Sequence, residues 1–265
     1  MRIVVCVKEV LDPSAVNNYA LAGKLRIAAD GRTLDAAAVP RLINGYDEQA
    51  MEAALRIRDA GVAARISAVS IGADTTAMLK HCAALGADEV VGIHPGDAEL
   101  DGAAVAHLLD AYVRTSGGAD LVLCGRQASD DDQGVVPVLL AERLGSAIAT
   151  QARAVEVNGS RIKVTRVTPD GEEVVEGALP AVVTISNELG TPRFPTAKSK
   201  MAARKIVPAE LTPAALGVTA RDLAPGVRLL RQYVPDVQGN CEFLQGSPAD
   251  VARVLLGKLR AEQLI

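Results

Sequence analysis

Tryptophan is absent from this 265-residue chain and aromatic residues make up only 2% of it. The stacking platforms on which single-stranded nucleic acid depends are therefore scarce. A basic excess is missing as well: the formal charge is -4, so neutralising a phosphate backbone is excluded as its main business and no nucleic-acid partner is expected. The four cysteines, Cys6, Cys82, Cys124 and Cys241, form no C-x-x-C pair and suggest neither a disulfide framework nor a zinc site. No uninterrupted run of about 18 apolar residues occurs, and no basic leader precedes the apolar run from Ile3. A cytoplasmic protein without membrane insertion is the expectation. Also lacking are G-x-S-x-G, H-E-x-x-H, a Walker A loop and G-x-G-x-x-G at a strand end. His81, His94 and His107 stand at no ligand spacing and read as surface or packing residues. No catalytic residue and no metal ligand is assigned.

What is present is a strong alternation. Ile3 to Val7, Ile66 to Ile71, Glu89 to His94 and Leu121 to Cys124 are short Val/Ile/Leu runs of the kind that form buried strands. Between and after them lie helical patterns at Asp47 to Ala60, Thr75 to Leu85, Asp101 to Arg114 and Val136 to Leu144, with Gly61, Gly86 and Gly145 placed as terminating glycines. A parallel pair of strands needs a crossover, and the crossover helix covers the sheet. The expectation is an α/β fold, a parallel-sheet, Rossmann-like adenine-nucleotide-binding domain. From about Ala147 the period changes to two around Asn158-Gly159 and Asp170-Gly171, which signals added β-hairpins, and Leu179 to Ser186 reads as one more buried strand. The Pro-, Lys- and Thr-rich stretch after Asn187 shows little periodicity and reads as a linker or an arm that orders against a partner. A last helix opens at Ser247-Pro248. Residues 1–190 are thus expected to form the nucleotide-binding domain, and 191–265 an extended arm and C-terminal helix for subunit contact.

Ligands of such sheets sit beyond the carboxyl ends of the strands, near a reversal in strand order. That directs attention to the segment Gly125-Arg126-Gln127-Ala128-Ser129-Asp130-Asp131-Asp132-Gln133-Gly134-Val135-Val136. Taken alone, three consecutive aspartates are a solvated acidic turn; a magnesium site would need carboxylates from a second cluster, which is absent. Pro137 fits only a first helical turn, so the helix begins between Gly134 and Val136 and the aspartates fall outside it. The free amides from Gln133 to Val136 then face an anion-binding helix end, Gly134 permits close approach, and the acids shape the loop through Asx turns. Asn44-Gly45 forms a turn before a second helix that Asp47 can cap, with the Asn44 side chain within reach of a ribose or base. Cys6 ends the first strand, either as a small buried residue or beside a ligand.

In this order and spacing, VVCVKEVLDP, NGYDEQAMEAALRIRDAG, AVSIGADTTAMLKHCAALGADEVV, DLVLCGRQASDDDQG and LPAVVTISNELGTPRFP resemble the beta subunit of electron transfer flavoproteins over about residues 1–205. The resemblance implies a heterodimer with an alpha subunit whose FAD accepts electrons from dehydrogenases and passes them to a quinone-reductase-type acceptor. It implies an AMP in the beta subunit, or a second FAD in electron-bifurcating members. Carried over position by position, the adenine pocket takes the backbone at Cys6 and the turn after Ile71. The ribose side takes Asn44, Gly45, Tyr46 and Asp47, and the phosphate loop is Gly125 to Val136. Where many AMP-binding members have Asn-Gln-Thr-Gly-Gln, this chain has Gly134 to Val138, so phosphate contacts would come from backbone amides and Gln133. Asp131 departs from bifurcating members and favours AMP. Ala197-Lys198 stands where the family often presents a docking Leu. An adenine-nucleotide-binding protein acting alone is the alternative from another class.

Overall fold

β-branched residues populate the centre of the sheet because both of its faces are covered, so the interior positions of a central strand are buried whichever face they point to. The computed structural model describes residues 1–35, 39–234 and 241–265. They divide into two units, Met1–Gln232 and Tyr233–Ile265. The first begins with β1 (Arg2–Cys6), β2 (Glu9–Leu11) and α1 (Pro13–Leu21), then β3 (Arg41–Ile43), α2 (Gly45–Asp59), β4 (Arg65–Ile71), α3 (Thr76–Leu85) and β5 (Glu89–Ile93). It continues with α4 (Gly102–Thr115), β6 (Leu121–Gly125), α5 (Val136–Leu144) and the strands β7 (Ala147–Asn158), β8 (Arg161–Thr168), β9 (Gly171–Ala178) and β10 (Ala181–Ile185). The helix α6 (Ala197–Ala203) and the edge strand β11 (Ala209–Leu211) complete it.

Nine strands form one sheet in the order β11-β5-β4-β1-β6-β10-β7-β8-β9, and β2 pairs with β3 in a separate antiparallel ribbon. From β11 to β7 every neighbouring pair is parallel; β7, β8 and β9 follow as an antiparallel meander. The sheet is a Rossmann-like α/β arrangement with the expected hairpins appended. Period two sorts its side chains. Ile3, Val5, Ile66, Ala68, Leu121 and Leu123 pack with α2 and α3 on one face. Val4, Val69, Val122 and Cys124 pack with α4 and α5 on the other. The chain steps outward from β1 to β4 and β5 under α2 and α3; α4 then carries it back across to β6, on the far side of β1. The strand order therefore reverses between β1 and β6, and the ends of these strands at Cys6 and Gly125 mark the crevice position where ligands of such sheets bind.

The main helices match the expected ones to within about two residues, and α5 matches over its whole length. Four short elements, β2, α1, β3 and β11, lie outside the strong periodic signals. The stretch read as non-periodic after Asn187 contains α6, capped by Thr196 Oγ1 accepting from the Ser199 amide at 3.1 Å. It is anchored on α2 by Glu52, a 5% exposed carboxylate that accepts from Arg56 Nε at 2.8 Å and Arg193 Nε at 2.7 Å. Burial opposes ionisation of Glu52, but the hydrogen bonds from Arg193 and Arg56 hold its carboxyl below the usual value. A depressed acid stabilises the fold above its unfolded pKa, and that contribution is lost as pH falls through the folded one. Glu52→Gln is expected to cost about 1–3 kcal/mol at neutral pH and to cost less as the pH falls below about 4, which urea denaturation at the two pH values checks.

The second unit holds α7 (Pro248–Ala261). Ser247 caps it, its Oγ accepting from the Asp250 amide at 3.3 Å, and Asp250 lies in the first turn. Its apolar residues Val254, Leu255 and Leu256 are 41 to 47% exposed. Among the described residues, no helix is long and apolar enough to cross a membrane, and no group of three or more metal-ligating side chains gathers.

Candidate functional site

Asp47 occupies the crevice between β1 and β6. It was expected to cap α2, but the cap position belongs to Asn44, neither side chain closes the helix end, and Asp47 sits in the first turn. Its carboxylate reaches across to the two strand ends instead. Oδ2 accepts from the Lys8 amide at 2.8 Å and Oδ1 from the Gly125 amide at 2.9 Å. The Lys8 amide lies past the last ladder bond of β1, and the Gly125 amide lies past the last paired residues of β1 and β6, so a single acid satisfies them and clamps the reversal point. Asp47 is 6% exposed; burial pushes its pKa up to about 7, against the opposing hydrogen bonds from the Lys8 amide, Asn44 and the Gly125 amide.

Glycine at position 125 is what lets the clamp close. A Cβ there would lie 2.4 Å from Asp47 Oδ1 and 2.7 Å from Tyr46 Cβ. Asn44, only 1% exposed, braces the loop that follows. Its Nδ2 donates to the Gln127 carbonyl at 2.9 Å and its Oδ1 accepts from the Ser129 amide at 3.2 Å. The side chain expected to reach a ribose is thus turned onto loop backbone. Tyr46 carries the Arg126 guanidinium 5.1 Å above its ring, and Gly45 opens the helix with no neighbour near its missing Cβ.

The three aspartates are loop-forming residues. Asp130 and Asp131 take the Lys8 ammonium at 2.7 and 3.4 Å. Asp131 Oδ1 also accepts from the Gln133 amide at 3.2 Å, the expected Asx turn. Asp132 has a φ of 53°, a conformation Asp tolerates better than most residues; its amide donates to the Ala128 carbonyl at 2.8 Å and its Oδ1 accepts from Gln127 Nε2 at 2.6 Å. Lys8 is the member of the site that the sequence reading left out. It stands 122 residues before Asp130, and its one signal was its place just past the end of β1. The ion pairs are about half exposed and contribute at most about 1 kcal/mol each, so their main effect is to offset negative charge at the rim.

The loop then turns at Gly134, with φ 63° and the position of a Cβ 2.9 Å from the Arg126 carbonyl, and enters α5 with Val135 at the cap position. Of the amides expected to be free, that of Gln133 is taken by Asp131, whereas those of Gly134, Val135 and Val136 meet no protein acceptor, and Ser129 Oγ is buried without a partner. Three unpaired donors at a positive helix end, in the same loop as an orphaned hydroxyl, fit a phosphate-sized anion. Gly102, at the start of α4, fixes this end from below, since a Cβ there would lie 2.7 Å from Val135 Cγ2.

Cys6 borders the same crevice, half-buried at the end of β1. Ile71 ends β4, on the other side of β1, and with Cys6 packs against the α4 face. The structure thus brings Cys6, Asn44 to Asp47 and Gly125 to Val136 together and sets Ile71 one strand away. A further cleft of about 260 Å³ lies on the β10 side of the loop, lined by Arg126, Gln127, Gly134, Val138, Gln151 and Thr184 among others. It was not foreseen, because Gln151 and Thr184 are joined only by a hydrogen bond across β7 and β10, the Gln151 amide donating to Thr184 Oγ1 at 2.8 Å.

Residues 32–216 match the Electron transfer flavoprotein domain family. The electron transfer flavoprotein subunit beta of Mycobacterium leprae is 34% identical over 70% of this chain and 72% of its own length. That of Bradyrhizobium diazoefficiens is 35% identical over 83% of this chain and 86% of its own. Subunit CarD of the caffeyl-CoA reductase-Etf complex of Acetobacterium woodii is 31% identical over the whole of both chains.

Proposed function

The chain belongs to the electron transfer flavoprotein family, with beta subunits as its relatives, and from this premise we propose that it binds AMP in the β1/β6 crevice and completes the FAD site of an alpha subunit. As a heterodimer it would carry electrons from dehydrogenases to a quinone-reductase-type acceptor, with no catalytic residues of its own. The observation that carries the nucleotide assignment is the set of free amides at Gly134, Val135 and Val136, in a turn that packs so closely on the Arg126 carbonyl that only glycine fits at 134.

In this reading the loop amides and Ser129 Oγ receive the phosphate. Asn44 holds the loop in register and Lys8 offsets the acids that shape it. Asp47 keeps the two strand ends fixed so that the crevice has one width. The FAD shared with the alpha subunit supplies the one- and two-electron chemistry when bound. The segment from 191 and the apolar face of α7 are the parts offered to the alpha subunit. Co-expression with the alpha subunit is expected to give a yellow heterodimer that co-elutes through gel filtration. A stable, colourless beta chain that fails to associate would overturn the assignment.

A second reading is favoured by the full-length match to CarD: membership of a larger reductase complex, with a second FAD in place of AMP. The cleft beside Arg126 and Thr184 adjoins the phosphate loop and gives a larger ligand room to extend.

A further inference from the structure

Two cysteines 118 residues apart in sequence meet at the reversal point of the sheet. The register of β1 against β6 runs Ile3 to Leu121, Val4 to Val122 and Val5 to Leu123, so the next residues, Cys6 and Cys124, face each other on adjacent parallel strands. Both side chains point to the α4 face, where Cys124 is 4% exposed and Cys6 packs beside it, half-buried. Neighbouring strands lie about 4.8 Å apart, inside the Cα separation of about 4.4–6.8 Å that a disulfide spans. Two residues after Cys6 comes Lys8 and directly after Cys124 comes Gly125, the residues whose amides Asp47 clamps.

We propose that Cys6 and Cys124 form a thiol-modification site, a dithiol that small disulfides such as glutathione disulfide convert to an intrachain bridge across the floor of the crevice. Cys6 is the entry residue because it alone of the two has solvent access. The Cys6 sulfur beside it, together with burial, holds the Cys124 thiol well above its ordinary pKa, so Cys124 stays protonated and resolves second. In the first step Cys6 loses its proton and attacks the small disulfide; one glutathione leaves as thiol and a mixed disulfide remains. In the second, Cys124 gives up its proton and attacks the Cys6 sulfur, and the second glutathione leaves. Two cysteine sulfurs are oxidised and one small disulfide is reduced to two thiols. Side chains projecting in parallel from adjacent strands must tilt together to bond, so the bridge is strained and reopens readily under a thiol reductant.

A nucleotide bound in the crevice would shield Cys6, so the reaction is run on protein dialysed free of nucleotide. The test treats the purified full-length protein, with its alpha subunit, with glutathione disulfide, blocks remaining thiols, and maps peptides by mass. The expected product is a Cys6–Cys124 linked peptide, with three of the four thiols lost, the third being Cys241, and all three restored by dithiothreitol. Cys82, fully buried, should remain free, whereas exposed Cys241 should carry a simple glutathione adduct that serves as internal control. In Cys124→Ser the Cys6–glutathione adduct should persist instead of passing on. Modification of Cys241 with Cys6 untouched, or a lasting Cys6 adduct in the unsubstituted protein, would overturn the proposal; neither outcome depends on a variant folding.

Discussion

Asp47→Ala is expected to lower the stability of the first unit by about 3 kcal/mol at pH 5–6, because it strands the Lys8 and Gly125 amides at the sheet's reversal point. The size of the loss should depend on pH in a direction opposite to that of Glu52. Burial raises the Asp47 pKa from 3.8 to about 7, so between those values the folded protein holds a proton that the unfolded chain has released. The unfolded state then binds fewer protons, and the Asp47 contribution is complete below about pH 4 and is lost as pH rises through about 7. Relative to Asp47→Ala, the unsubstituted protein should therefore show a larger advantage at pH 5 than at pH 8. Chemical denaturation of both proteins across that range reads the difference directly. An advantage that grows with pH would mean that the carboxylate is held ionised by something stronger than its burial.

Gly134→Val should abolish nucleotide retention, with AMP content in the purified protein falling at least about tenfold, the effect of losing about 1.4 kcal/mol of binding. The added side chain forces a non-glycine residue to φ 63° and places a Cβ 2.9 Å from the Arg126 carbonyl. The loop must open, and the amides of Gly134 to Val136 lose their common direction. Backbone strain by itself is read from Gly159→Val, at φ 59° in the β7–β8 turn with no atom within 4 Å of the new Cβ. That variant should be destabilised and keep its AMP. Equal AMP content in the Gly134 variant and the unsubstituted protein would remove the loop from the binding site.

The sheet and its helices were legible because the central strands are buried on both faces and the helices carry one apolar stripe each, so local periodicity and tertiary burial agree. Pro137 located the start of α5 correctly because a missing amide restricts proline to the first turn. The clamp was not legible in the same way. Asp47 as a helix cap was the better local reading, and only the long-range approach of Lys8 and Gly125 gives its carboxylate two stronger partners. Asn44 was singled out for a ligand for the same reason: nothing local indicates that loop backbone 83 residues away will take its amide. The strands β2, β3 and β11 are three residues each, too short to show a period, and are held by pairing with their neighbours.

Counting what the heterodimer releases on heating tests most directly whether an adenine nucleotide sits beyond the ends of β1 and β6. One AMP and one FAD per heterodimer are expected, by chromatography of the supernatant against standards. Two FAD and no AMP would transfer the site to the second reading, with FAD in place of AMP. One FAD with no second nucleotide of any kind would contradict the account.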